Sequence, residues 1–194
     1  MTENKRSVIA VDLGAESGRV IRADFDGTRI DMTEIHRFSN VPVFAQETLY
    51  WDVLRLWHDI KQGIAAIGTE AVSIGVDTWG VDFALLDRDG KLVSNPLHYR
   101  NTHADGMMEW VFERVPRREI FEQTGIQFMQ INGLYGLASM VKNNSPLLDA
   151  TATLLTIADL FNYWLSGSKT CEFTDATTLQ MVNPHTLRIG HATC

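Results

Sequence analysis

The sequence predicts an α/β domain in which a mixed sheet is flanked by helices. Three observations carry this. The first forty residues read as three strands joined by tight turns; at Asp52 the apolar period switches from strand to helix; strand and helix then alternate to the end. Strands first and a crossover helix afterwards indicate a sheet that is partly antiparallel and partly parallel.

The elements follow in order. Ser7 to Leu13 (SVIAVDL) is a short, nearly continuous apolar run, the pattern of a strand covered on both faces. A small-residue turn separates it from a second strand, Arg19 to Phe25. Asp26-Gly27 is a strong turn dipeptide, and Ile30, Met32, Ile35 and Phe38 continue a looser third strand. Val53, Leu56, Trp57, Ile60, Ile64 and Ile67 then recur at helical spacing, with Asp52 as the N-cap and Gly68 just past the end. Ala71 to Val76 reads as a buried strand, and Phe83 to Leu86 as another that turns at Asp89-Gly90. Helices are expected at Met107 to Val115 and Arg117 to Gln123 around Pro116, with Gly125 ending the second. Two more are expected at about Leu134 to Lys142 and Ala158 to Leu165. A three-stranded meander feeding a crossover helix is the ribonuclease-H-like plan.

Composition narrows the function classes. The 194 residues allow one domain, perhaps with an appendage. With 17 basic and 24 acidic residues the net charge is −7, which leaves no cationic surface for a phosphodiester backbone, so no nucleic-acid partner is expected. No apolar run reaches the roughly 20 residues that span a bilayer, and Met1 to Arg6 leads into a strand without a signal-peptide pattern. A cytoplasmic protein with no membrane partner is therefore expected. Cys171 and Cys194 are too few for a disulfide framework or a zinc cluster, and the six histidines show no metal spacing.

Two segments could carry chemistry. In Asp12-Leu13-Gly14-Ala15-Glu16-Ser17-Gly18-Arg19 a carboxylate at a strand end precedes two glycines, a hydroxyl and a guanidinium. Gly14 and Gly18 would let backbone N–H groups approach a phosphate, Ser17 and Arg19 would add donors, and Asp12 suits magnesium held through water. A tight hairpin turn uses the same residue types, so both readings are open here. The segment is neither a Walker loop nor a GxGxxG turn. In Asp77-Thr78-Trp79-Gly80-Val81-Asp82 two carboxylates, a hydroxyl and an indole surround a glycine, which suits sugar hydroxyls and C–H faces. The competing reading makes Trp79 core and the aspartates turn residues. His98, beside Tyr99-Arg100, could line such a cleft.

The run VDLGAESGR resembles the first phosphate motif of the superfamily of sugar kinases, actin and heat-shock proteins. Together with IGVDTWGVDF (74–83), Tyr99-Arg100, TGIQF (124–128) and FTDATT (173–178), it is similar in order and spacing to the FGGY family of carbohydrate kinases over about residues 8 to 183. The resemblance implies an actin-like ATPase domain and ATP-dependent, magnesium-assisted phosphorylation of a ketose, L-rhamnulose, to its 1-phosphate. It implies that Ala15, Glu16, Ser17, Gly18 and Arg19 bind ATP and that Asp12 holds Mg2+. It also places Gly80, with Thr78, Trp79 and Asp82, at the sugar.

Family members have two domains, and the general base is an aspartate near the end of the first. The expectation is thus an incomplete N-terminal domain over 1–183 and a tail over 184–194 that departs from the family. The C-terminal domain is expected to be absent, and the base to lie beyond Cys194, leaving at most trace turnover. A non-catalytic sugar- or nucleotide-binding remnant, a kinase for another ketose, and an actin-type hydrolase are the alternatives.

Overall fold

The computed structural model describes residues 6–68 and 71–189; Cys194 and the end of the expected tail lie outside the described residues. Strands β1 (Arg6–Leu13), β2 (Ser17–Phe25) and β3 (Ile30–Ser39) form the expected antiparallel meander. Strands β4 (Val43–Ala45) and β5 (Thr48–Tyr50) form a small hairpin that leads into helix α1 (Val53–Ile67). Strand β6 (Ala71–Asp77) then pairs parallel to β1, giving the sheet order β3-β2-β1-β6.

Local chemistry explains the frame. The Asp52 carboxylate caps α1 by accepting from the Arg55 amide at 3.2 Å, and Gly68 leaves the helix at φ 82°. Ile9, Val11 and Leu13 of β1 cluster with Leu56 and Ile60 of α1 and with Leu160 and Phe161 of a later helix (Ile157–Ser166). The close approach of α1 to the sheet depends on Gly63, where a Cβ would stand 2.5 Å from Val20 Cγ2.

Three expectations need correction. β1 is buried on one face only: Ser7, Ile9, Val11 and Leu13 are buried, whereas Val8, Ala10 and Asp12 are half-buried. β6 is not a buried strand; Val72 is 68% exposed, because β6 is the sheet's edge strand among the described residues and pairs there only with β1. β2 begins at Ser17 rather than Arg19, so the turn is shorter than its glycine content suggests. The strand expected at Phe83–Leu86 is present as β7, which lies outside the main sheet and pairs antiparallel with β8 (Thr153–Thr156). The polar segment between β6 and β7 bends the chain away, with Val81 at φ 71°.

A second hydrophobic cluster gathers Met107 and Val111 of α2 (Met107–Phe112), Ile120 of α3 (Arg117–Thr124) and Leu134, Tyr135 and Ala138 of α4 (Gly133–Lys142). Leu179 and Met181 close it from the C-terminal side. Pro116 precedes α3 and Gly125 ends it at φ 68°, as the sequence predicts. Among the described residues no helix is long and apolar enough to cross a membrane.

Candidate active site

The loop after β1 is a tight turn tied down from one side. The Gly14 amide donates to the Ser17 carbonyl at 2.9 Å. Asn40, only 3% exposed, holds the turn twice: its side-chain amide donates to the Gly14 carbonyl at 2.8 Å and its backbone amide to the Glu16 carbonyl at 2.9 Å. The amides of Ala15 and Glu16 and the Ser17 hydroxyl have no hydrogen-bond partner among the described residues. Across the hairpin, Arg19 pairs with Asp12 through its guanidinium, both side chains being well exposed. Free donors beside a cation fit a phosphate chain.

Gly18 has a different explanation. A Cβ there would stand 2.3 Å from the Phe38 ring and 2.8 Å from Leu13 Cδ2, so packing alone demands glycine.

β1 and β6 are parallel, and their register sets Asp12 opposite Asp77. The loop at Gly14 and the segment from Thr78 therefore leave the sheet side by side at the carboxyl ends of two neighbouring parallel strands, the usual place for a ligand crevice in an open α/β sheet. Among the described residues no group of three or more His, Cys, Asp or Glu side chains is gathered as metal ligands. Two adjacent carboxylates suit a hydrated magnesium ion that takes most of its oxygens from water and phosphate.

The segment after β6 is built on an aromatic stack. The fully buried Trp51 lies between Trp79, with ring centroids 3.9 Å apart, and His98, at 3.8 Å. Asp82 Oδ2 accepts from Trp51 Nε1 at 2.6 Å and from Trp79 Nε1 at 3.0 Å. Asp82 is 7% exposed, and burial pushes its carboxyl up to about 7 despite these donors. Burial takes His98 down to about 4, with the Arg100 charge adding to the effect, and its Nδ1 accepts from the Arg100 amide at 3.0 Å. The stack is thus free of a permanent positive charge at neutral pH. His98 lies under Trp51 rather than at the cleft surface, and Asp82 lies behind the indoles.

The bend itself is pinned by a distant segment. Thr178 Oγ1 accepts from the Val81 amide at 2.9 Å and donates to the Asp175 carbonyl at 2.7 Å. Thr78 donates from its hydroxyl to the Trp79 carbonyl at 2.8 Å, closing the turn locally. A polar cleft opens here, lined by Asp77, Thr78, Gly80, Asn162, Asp175 and Thr178. The structure thereby gathers Asp12, the 15–19 loop and 77–82 at one end of the sheet. Asn40 and Thr178 were missed by sequence reasoning; Thr178 stood within the FTDATT motif, but Asn40 carries no pattern of its own.

A hairpin with free donors thus stands beside a polar cleft, on a meander with a parallel fourth strand. Residues 7–190 match the N-terminal domain of the FGGY family of carbohydrate kinases, and the chain belongs to that family. It is similar to the rhamnulokinase of Bacteroides thetaiotaomicron, 40% identical over 188 residues, which are 95% of this chain and 39% of that protein. It is 44% identical over 183 residues to the rhamnulokinase of Pectobacterium atrosepticum, covering 92% of this chain and 37% of the relative. The chain thus spans about two fifths of the length of these relatives. Its fold resembles ligand-bound xylulose kinase from Lactobacillus acidophilus, with a TM-score of 0.83 at 14% identity over 97% of this chain and 39% of the other. It also resembles Plasmodium falciparum glycerol kinase with ADP, with a TM-score of 0.72 at 18% identity over 97% of this chain and 40% of the other.

Proposed function

We propose that the chain supplies the N-terminal half of an ATP-dependent kinase for L-rhamnulose, forming L-rhamnulose 1-phosphate. The observation that carries this reading is the β1–β6 register, which sets Asp12 and the loop after it beside Asp77 and the segment after that. In this reading the free amides of Ala15 and Glu16, the Ser17 hydroxyl and Arg19 receive the terminal phosphates. Gly18 serves by letting Phe38 pack beneath the loop. Asp12 holds magnesium through water, which supplies charge neutralisation on the transferring phosphate. Thr78, Trp79 and Gly80 face the sugar. Asp82 fixes the indole of Trp79 from behind, so its part is positioning rather than contact.

In this reading the acceptor hydroxyl takes its base from an aspartate beyond Cys194. Positioning and charge stabilisation dominate phosphoryl transfer, so one half of the site alone binds better than it turns over. Residues 1–183 are read as the bulk of the domain, with the family match running on to residue 190.

Trp51 and Trp79 provide the readout. L-rhamnulose added to the purified chain should change tryptophan emission at lower concentration than other ketoses do, while a coupled ADP-release assay with MgATP shows no more than trace turnover. Equal responses to every ketose would favour a kinase for another sugar. A response to nucleotide with none to any ketose would favour the nucleotide-binding remnant.

A further inference from the structure

The two edges of the main sheet differ in chemistry. At β3 the edge is charged: Arg29 pairs with Asp31 at 2.8 Å and Arg37 with Glu34 at 2.6 Å. Charged side chains along an edge keep it from pairing with another chain. At β6 that protection is missing. Its first six residues, AVSIGV, hold no charge and no proline, and among the described residues β6 pairs only with β1, so its outer row of backbone amides and carbonyls is open. Val72 is 68% exposed there, and an open groove lined by Ile9, Ile64, Ala71, Val72, Ile74 and Leu165 runs beside it.

The strand is also complementary to itself. Turned antiparallel about Ile74, it sets Ile74 against Ile74, Ser73 against Gly75 and Val72 against Val76, so three β-branched pairs form where side chains on one face meet directly. The one charge of the strand, Asp77, then falls opposite Ala71 at each end. Six residues of strand span about 20 Å, so the two Asp77 carboxylates stand about two Debye lengths apart. A parallel pair would instead place Asp77 beside Asp77. We infer that β6 pairs antiparallel with β6 of a second copy of this chain, about a two-fold axis at Ile74, joining two four-stranded sheets into one. Such a contact uses the same patch on both copies and closes at the dimer. It stands independently of the kinase reading, since neither Val72 nor Gly75 lines the cleft at Gly80.

Sedimentation equilibrium of the unmodified chain, with a thiol reductant present, tests this. The mass should rise with concentration from 21.8 kDa towards twice that value and no further. Hydrogen exchange at the amides of residues 72–76 should slow over the same concentrations. Val72→Lys, at an exposed position, and Gly75→Lys, where a Cβ meets nothing within 4 Å, should each weaken association about tenfold or more without moving the thermal melt of the monomer. Met32→Lys makes the same change of charge at the β3 edge, where the residue is 73% exposed, and should leave the dimer as it was. A chain that stays monomeric at every concentration, or that grows past the dimer, would overturn the inference. So would a dimer that survives both β6 lysines, or one that Met32→Lys weakens equally.

Discussion

Gly80 and Thr178 are in contact to the point that no side chain fits at residue 80: a Cβ there would stand 2.9 Å from both Cγ2 and Oγ1 of Thr178. The same threonine holds the Val81 amide. Gly80→Ala should therefore cost about 1–3 kcal/mol by overpacking, even if no sugar ever touches the residue. Urea unfolding measures it. Adding Thr178→Ser, which removes Cγ2 and keeps the hydroxyl, should restore part of the loss; no recovery in the double variant would mean that Oγ1 rather than the methyl sets the limit.

Asp82 gives a pH signature. Its folded carboxyl titrates near 7 and its unfolded one near 3.8, so between these values the native state holds a proton that the unfolded chain has lost. Stability attributable to this group is thus highest below about pH 4, falls as pH rises, and levels off above 7. The full span is at most about 4 kcal/mol. Asp82→Asn should flatten that slope across pH 4–7 in chemical denaturation, and a slope unchanged by the substitution would assign the pH dependence to other groups.

Arg19 and Asp12 separate stability from binding. Their side chains are 40% and 37% exposed, so the pair should contribute no more than about 1 kcal/mol to folding. If the guanidinium also meets phosphate, Arg19→Ala should weaken magnesium–tripolyphosphate binding by roughly tenfold to a hundredfold while the melting curve barely moves. Isothermal titration decides this. Affinity equal to the parent chain would return the loop to the role of a plain hairpin turn.

Asn40→Ala removes the donor to the Gly14 carbonyl and leaves a cavity beneath the turn. A loss of about 1–3 kcal/mol is expected, with faster amide exchange at Gly14, Ala15 and Glu16 than at the centre of β2. Uniform exchange rates across the hairpin would show that Asn40 does not hold the loop.

The first half of the fold was legible because its signals are local. Asp26-Gly27 marks a turn, Asp52 and Gly68 bracket a helix, and the apolar faces of β1 and α1 repeat at the right period. The β4–β5 hairpin was not legible: it turns on Gln46 and Glu47, at φ 47° and 66°, residues that do not advertise a left-handed turn. Gly63 could have been read as a packing contact, since a glycine inside a strongly apolar helix face needs a reason. In the candidate site, nothing in the residue types of 77–82 told that Asp82 faces two indoles rather than solvent. That depended on Trp51, which lies 31 residues earlier. The helix expected at 158–165 is present as Ile157–Ser166, and it packs into the core through the fully buried Leu160 and Phe161.

The bond from Val81 to Thr178 joins residues 97 apart in the chain. The meander, by contrast, is made of near neighbours, and the helices around Tyr135 are nearly so. Closing a long loop costs more chain entropy than closing a short one, and contacts distant in sequence slow folding. Fastening the bend at Val81, where φ is 71°, to Thr178 therefore carries a larger closure cost than pairing the strands of the meander. The crevice beside Gly80 thus rests on a contact that the locally built elements do not make by themselves.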